Sequence, residues 1–265
     1  MDIWGSAGFD PNTPNVARLY DYYLGGKDHF PADRLAAEEI LRVAPEVRAA
    51  ARANRAFLGR AVRYLADRGI RQFLDIGAGL PSWGNVHEIA GSGSRVAYVD
   101  NDPVVLVHGR AMLARDNDIT VIPGDLREPH QILKNRHLGI DFSEPVGVLL
   151  VAVMHYVAEA DDPARIMTAL REALPPGSFL VMSHGTSDAR RAAVAKAGEV
   201  YSSASASITL RSRTEIEALF TGFDLVPPGL VWLPEWQPDQ TSGLDFPESA
   251  ADALLLCGVG RLGAT

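Results

Sequence analysis

Phe73-Leu74-Asp75-Ile76-Gly77-Ala78-Gly79-Leu80, followed by Val96-Ala97-Tyr98-Val99-Asp100 with its carboxylate 21 residues beyond Gly79, is the stretch that decides the fold. Both runs are apolar and short, as buried parallel strands are. The first breaks at Gly77-Ala78-Gly79, where missing side chains let a ligand lie against the backbone. The second ends in a carboxylate at the spacing a doubly wound sheet uses to hold a ribose diol. Together they imply a nucleoside cofactor.

Finer detail bears on which nucleoside. A dinucleotide fingerprint wants a third glycine three positions after the second, so that a helix can pack closely and cradle pyrophosphate. Ser82 stands there, the next glycine is Gly84, and Pro81 and Trp83 crowd the turn. Asp75 would repel a pyrophosphate but suits the positively charged amino group of a methionine-type ligand. The pattern Asp75-x-Gly77-x-Gly79 resembles the nucleotide-binding motif of class I S-adenosylmethionine (SAM) methyltransferases. A plain strand-to-helix turn also uses glycine, and the spaced Asp100 is what strengthens the ligand reading. An NAD(P)-dependent oxidoreductase is the rival enzyme; a non-catalytic SAM-binding sensor is the rival outside catalysis.

At 265 residues with 47% apolar content, the chain has room for one large α/β domain and an appendage. The net charge of −8 argues against a nucleic-acid substrate, which needs a basic footprint. Cys257 is the only cysteine and sits in an apolar strand, where it reads as a small buried hydrophobe. No apolar run reaches the roughly 18 residues of a membrane span, and the first residues lack the basic start of a signal peptide. The expectation is a soluble, cytoplasmic protein with a small-molecule substrate, no nucleic-acid or membrane partner, and compatibility with a homodimer.

Residues 1–13 read as a loosely ordered tail. A helix over 15–24 breaks at Gly25-Gly26, a second runs over 31–43 behind Pro31, and a third over 45–67 ends at Gly69. In the third, Val47, Ala51, Leu58, Val62 and Leu65 form an apolar stripe. Arg48, Arg52, Arg55, Arg60 and Arg63 mostly take the other positions and read as a solvated face. Strands at 71–76, 95–100, 119–123, 146–153 and 178–184 then alternate with helices at 84–90, 103–116, 129–136 and 162–174, which implies a parallel sheet covered on both faces. Helical regions at 187–201 and 213–221, and strands near 223–233 and 253–261 forming an antiparallel hairpin, complete an α/β, Rossmann-like, mostly parallel sheet of seven strands. The implied division is a tail and helical cap over 1–68 and a SAM-binding domain over 69–265.

Ligands of open parallel sheets bind at the carboxyl ends of the strands. Those ends are Gly77-Ala78-Gly79, Asp100-Asn101, Gly124-Asp125-Leu126, Ala152-Val153-Met154-His155-Tyr156 and Ser183-His184-Gly185. In the resembling enzymes the residue at the place of Asp125 accepts the adenine amino group and the next amide donates to the ring; as local structure Asp125 is a cap. His155 beside Tyr156 follows the fourth strand, where a general base near neutral pH would stand; a histidine there also bonds neighbouring carbonyls. No metal-ligand spacing, Gly-x-Ser-x-Gly elbow or Walker loop occurs. Trp232 and Trp236 read either as a wall for a small acceptor or as packing under a loop.

The run from Ala17 to Phe30 holds Tyr20, Tyr22 and Tyr23 ahead of Gly25-Gly26-Lys27-Asp28. As structure it is a helix with a glycine C-cap; as function it is a lid hinged at the glycines. Helical spacing puts Tyr20 and Tyr23 inward over the ligand and Tyr22 outward. Tyr-Asp-Tyr and Gly-Gly-Lys-Asp here, Phe73 to Pro81, and Tyr98 to Pro103 resemble, from about Asn15 to Arg261, a SAM-dependent methyltransferase family of unassigned substrate found mostly in high-G+C filamentous bacteria. The resemblance implies SAM as cofactor, a small oxygen, nitrogen or carboxylate acceptor, and a cofactor site of Tyr23, Asp75, Gly77, Ala78, Gly79, Asp100, Asn101, Gly124, Asp125, Leu126, Ala152 and Val153. His155 and Tyr156 are the candidate catalytic pair.

Overall fold

A computed structural model describes residues 10–82, 84–112, 118–189, 207–240, 246 and 249–263. Helices α1 (Val16–Leu24), α2 (Pro31–Val43) and α3 (Val47–Ala66) come first. β1 (Gln72–Ile76), α4 (Val86–Ala90), β2 (Arg95–Asp100), α5 (Pro103–Met112) and β3 (Ile119–Pro123) follow. α6 (Pro129–Leu133), β4 (Gly147–Val151), α7 (Pro163–Ala173) and β5 (Phe179–Gly185) continue the alternation. After α8 (Arg213–Ala218) come β6 (Asp224–Leu225), β7 (Val231–Trp232) and β8 (Leu255–Arg261). Trp83, the end of the helix expected over 103–116, and nearly all of the helical region expected over 187–201 lie outside the described residues.

The strand order is β3-β2-β1-β4-β5-β8-β6, with β7 also on β8. β1 to β5 are mutually parallel and β8 runs antiparallel to β5, β6 and β7. The chain moves outward from β1 to β3, then returns to β4 on the other side of β1, so the carboxyl ends of β1 and β4 flank a switch point. The α/β sheet expected from the sequence is present with eight strands rather than seven. The segment 223–233 supplies two strands of 2 residues each, because Pro227-Pro228 interrupts it and prolines cannot donate to a ladder.

Alternation along the strands builds two apolar layers. Leu74, Ile76, Val99, Val148, Leu150 and Met182 face α6, α7 and α8 on one side. Phe73, Val96, Leu149, Val181 and Val259 face α3 on the other, through Phe57, Leu58, Val62 and Leu65. Cys257 is buried in that second layer, and burial pushes its thiol well above the ordinary range. No helix among the described residues is long and apolar enough to cross a membrane.

The first helices have a small core of their own, in which Leu19 and Tyr23 of α1 meet Ala37 and Ile40 of α2 and Ala51 of α3. Asn15 caps α1 by accepting from the Ala17 amide at 2.8 Å. Gly25, at φ +81°, ends it in the left-handed conformation glycine tolerates. The Asp21 carboxylate fills the space over Gly26, where a Cβ would lie 1.9 Å from Oδ1, and accepts the Asp28 amide at 3.0 Å. Gly26 is thus packed against Asp21, while a Cβ on Gly25 would meet nothing within 4 Å.

One sequence expectation about packing needs correction, and one reading left open is decided. Arg48, Arg52 and Arg63 are exposed, but Arg60 is buried, donating to the Trp236 carbonyl at 2.9 Å and the Leu233 carbonyl at 2.7 Å. Arg55 is half-buried. Trp236 is fully buried, edge-on to Phe57 and Tyr64 at 5.4 and 5.5 Å, so it is core and not an acceptor wall. Trp232 is half-buried against the first apolar layer.

Candidate functional site

The switch point opens into a cleft of about 1020 Å³ lined by the carboxyl ends of β1 to β4 and by residues of α1 and α3. Asp75, Gly77, Ala78, Gly79, Asp100, Asn101, Gly124, Asp125, Leu126, Ala152, Val153 and Tyr156 all line it. Tyr23 and His155 do not. Tyr23 is buried in the small core of α1 to α3, and Tyr20, 60° round the helix from it, reaches the cleft instead.

Backbone geometry makes the turn after β1 a bare ledge. Gly77 (φ +75°) and Gly79 (φ +67°) adopt conformations L side chains avoid. A Cβ on Gly77 would lie 2.4 Å from Val153 Cγ2, whereas one on Gly79 would meet nothing within 4 Å. Gly77 therefore lets the β1 and β4 ends approach, and Gly79 leaves open space over its backbone. Asp100 holds the ledge: Oδ2 accepts the Gly79 amide at 2.9 Å and Oδ1 the Asp102 amide at 2.9 Å. Gly124 has no room for a side chain, since a Cβ would lie 2.6 Å from Val99 Cγ1.

Carboxylates dominate the charge. Asp75 is 5% exposed and accepts no hydrogen bond from any described residue. Burial raises its pKa to about 7, against which Arg55 acts to lower it. Burial also raises Asp100, offset by the amides of Asp102 and Gly79. Asp102 gives Oδ1 to the Val104 amide at 2.7 Å, while its Oδ2 is buried without a partner. Asp125 differs: the Arg127 guanidinium, at 2.5 Å from Oδ2, holds its carboxyl below the ordinary value.

A hydrogen-bond chain ties the cleft walls together. Ala152, at φ +55°, donates its amide to Ser183 Oγ at 2.9 Å. Ser183 Oγ donates to Asn54 Oδ1 at 2.6 Å, and Asn54 Nδ2 donates to the Tyr20 hydroxyl at 2.9 Å. That hydroxyl donates onward to the Ala51 carbonyl at 3.0 Å. The tip of β4 is thus connected through β5 and α3 to α1.

His155 faces away from the cleft. It is buried within the 3-10 turn Met154–Tyr156, where Nδ1 accepts the Gly185 amide at 3.3 Å. Burial, His184 and Arg211 hold its pKa well below the ordinary value. It accepts the Gly185 amide and is not among the residues that line the cleft. His184 is neutral, pushed down to about 4 chiefly by burial. Arg211 Nη1 lies 2.9 Å from its Nε2, which must then accept, so the Nδ1 proton goes to the Gly185 carbonyl at 2.7 Å. Arg211 also binds the carbonyls of Met154 and Val157, securing the segment after β4.

Sequence reasoning missed Asn54, Arg55, Asp102, Arg127 and Arg211 as parts of the site, and named Ser183 only as a strand end. Asn54 and Arg55 carried a signal: they fall three and four residues after Ala51 and four and three before Leu58, on the apolar stripe itself. A polar residue on a buried stripe needs a partner. Arg211 had no local signal, because its partners come from β5 and the turn after β4. Among the described residues no group of three or more His, Cys, Asp or Glu is placed to hold a metal ion.

The model of the family described as S-adenosyl methyltransferase matches residues 2–263. A DUF574 family protein from Streptomyces avermitilis is 38% identical, with TM-score 0.90, over 95% of this chain and 98% of its own. A protein from Thermobifida fusca, provisionally named a methyltransferase, is 40% identical, with TM-score 0.90, over 99% of this chain and 100% of its own. No curated protein matches.

Proposed function

This chain belongs to the S-adenosyl methyltransferase family, and we propose that the switch-point cleft seats SAM and presents its methyl group to a small-molecule acceptor. The enzyme is a SAM-dependent methyltransferase; which residues hold the cofactor, and what is methylated, is our reading. The observation that carries it is the ledge of Gly77 to Gly79 under a carboxylate, with open space above Gly79, the Asp75 carboxylate lining the cleft and Asp102 Oδ2 buried without a donor. Those residues fit a ligand that has a ribose diol at one place and a cationic amino group at another.

Asp100 spends one lone pair of each oxygen on a backbone amide, which fixes the carboxylate and leaves acceptor capacity for ribose hydroxyls. Asp125 and the Leu126 amide would read the adenine edge, with Arg127 sharing the carboxylate. When bound, SAM supplies a methyl group already activated by the sulfonium. The protein's share is then to align the acceptor and exclude water, effects worth about 7–11 kcal/mol. Tyr20, Asn54 and Tyr156 stand along the cleft as polar contacts for an acceptor. Because His155 is turned away, an acceptor that arrives already nucleophilic, such as a carboxylate or a neutral amine, suits the site better than an alcohol needing deprotonation.

Thermal unfolding tests this. S-adenosylhomocysteine at 100 times its dissociation constant should add about 2.7 kcal/mol of stability, and NADP none. A shift with NADP alone would overturn the cofactor seat.

A further inference from the structure

We propose that the methyl acceptor is an amine, uncharged near neutral pH and bearing an N–H, and that the Tyr20 hydroxyl selects it by accepting that N–H. This deepens the reading of the cleft above, which left a carboxylate and a neutral amine as acceptors, and rests on it.

The hydrogen-bond chain along the cleft wall has a fixed direction. At one end the Ala152 amide can only donate, so it takes a lone pair of Ser183 Oγ at 2.9 Å. Ser183 then gives its one proton to Asn54 Oδ1 at 2.6 Å, which turns Asn54 Nδ2 to the Tyr20 hydroxyl at 2.9 Å. At the other end the Ala51 carbonyl can only accept, so it holds the Tyr20 proton at 3.0 Å. Two backbone groups of opposite polarity thus set every proton between them. No other orientation satisfies all four bonds.

Tyr20 lines the cleft, and its proton is already committed to Ala51. A phenol oxygen has two lone pairs, of which Asn54 uses one. What Tyr20 offers a ligand is therefore an acceptor and not a donor. An N–H suits it, whereas a carboxylate oxygen would set lone pair against lone pair. The chain also takes no proton from a ligand, because it ends on an amide and a carbonyl. Burial raises Tyr20 above its ordinary value as well, so it stays a hydroxyl. An alcohol finds no base on this wall. An uncharged amine needs none: its N–H is held while its lone pair forms the new N–C bond. The C–S bond of the sulfonium breaks with its electrons left on sulfur, and the ammonium product loses a proton to water.

Charge points the same way. Of the described charged side chains lining the cleft, six are aspartates and three are arginines. Two of those arginines are spent on carboxylates, Arg18 on Asp33 at 3.3 Å and Arg127 on Asp125 at 2.5 Å. An anionic acceptor enters against that field; an uncharged amine does not.

Ligand-observed NMR on protein loaded with S-adenosylhomocysteine tests this with two matched sets. One is aniline, toluene and benzoate; the other is 3-aminopyridine, 3-methylpyridine and nicotinate. Each amine should bind about 3- to 10-fold more tightly than its methyl counterpart, the span of one uncharged hydrogen bond. The carboxylates should bind more weakly than both. Tyr20→Phe should bring the amines down to the methyl compounds, and its binding of S-adenosylhomocysteine shows that it is folded. If that variant does not fold, the wild-type ranking decides. The assignment is wrong, with the cofactor seat intact, if no amine binds, if methyl compounds or carboxylates match the amines, or if folded Tyr20→Phe keeps the preference. Wild-type protein that fails to bind S-adenosylhomocysteine would sink the seat and the assignment together.

Discussion

A carboxylate that is buried, accepts no hydrogen bond and faces a cleft opposes folding whenever it is charged. Asp75 is such a group, with a folded-state pKa of about 7 against an ordinary 3.8. A raised folded-state value means the neutral form is favoured: its contribution is fully present below pH 3.8 and lost as pH rises through about 7. At 1.36 kcal/mol per pH unit, the loss is on the order of 4 kcal/mol by pH 8. We therefore expect Asp75→Asn to melt several degrees higher than wild type at pH 8 without ligand, and to lose that advantage near pH 4. The same variant should bind S-adenosylhomocysteine poorly at either pH. Melting curves that do not diverge with pH would show that Asp75 is not the group responsible. Asp100→Ala should cost roughly 2–4 kcal/mol of S-adenosylhomocysteine binding, two charge-assisted bonds with water replacing part of them. Unchanged affinity by calorimetry, in a folded variant, would remove Asp100 from the ribose.

At the scale of elements, α1 touches the cleft through Tyr20 and the sheet through the chain Tyr20–Asn54–Ser183–Ala152. A segment so anchored moves as a unit, with the Asp21 carboxylate packed over Gly26 behind it. We expect hydrogen exchange over residues 15–30 to slow when S-adenosylhomocysteine is added, because a ligand against Tyr20 opposes opening of α1. Unaltered exchange there would leave α1 as packing alone. Tyr20→Phe removes both the bond to Ala51 and the acceptor for Asn54, a 2% exposed residue. Leaving that amide unsatisfied should cost about 1–3 kcal/mol in urea unfolding; a loss below about 0.5 kcal/mol would mean the chain carries little energy.

For the whole molecule, the parts legible in the sequence are those written locally. β1 and β2 are apolar runs stopped by glycines and a carboxylate, and their ends mark the cleft. Parts set by distant chain were not legible. Arg60 looks solvated on a helical wheel, yet its acceptor Trp236 arrives from 176 residues away. His155 looks poised at a strand tip, yet in the 3-10 turn it is buried and bonded to the Gly185 amide of β5. Tyr23 shares a face with Tyr20 but falls on the α2 side of it. The sheet order adds a constraint on time. Of its strands, β8 is the last to leave the ribosome, yet it lies inside the sheet between β5 and β6. Until Leu255 to Arg261 emerge, the β5 edge is an open row of amides and carbonyls beside an apolar layer that lacks Cys257 and Val259. Nascent chains should therefore stay dependent on holding chaperones until β8 has emerged, and the architecture ties closure of the sheet to that strand rather than to gradual growth.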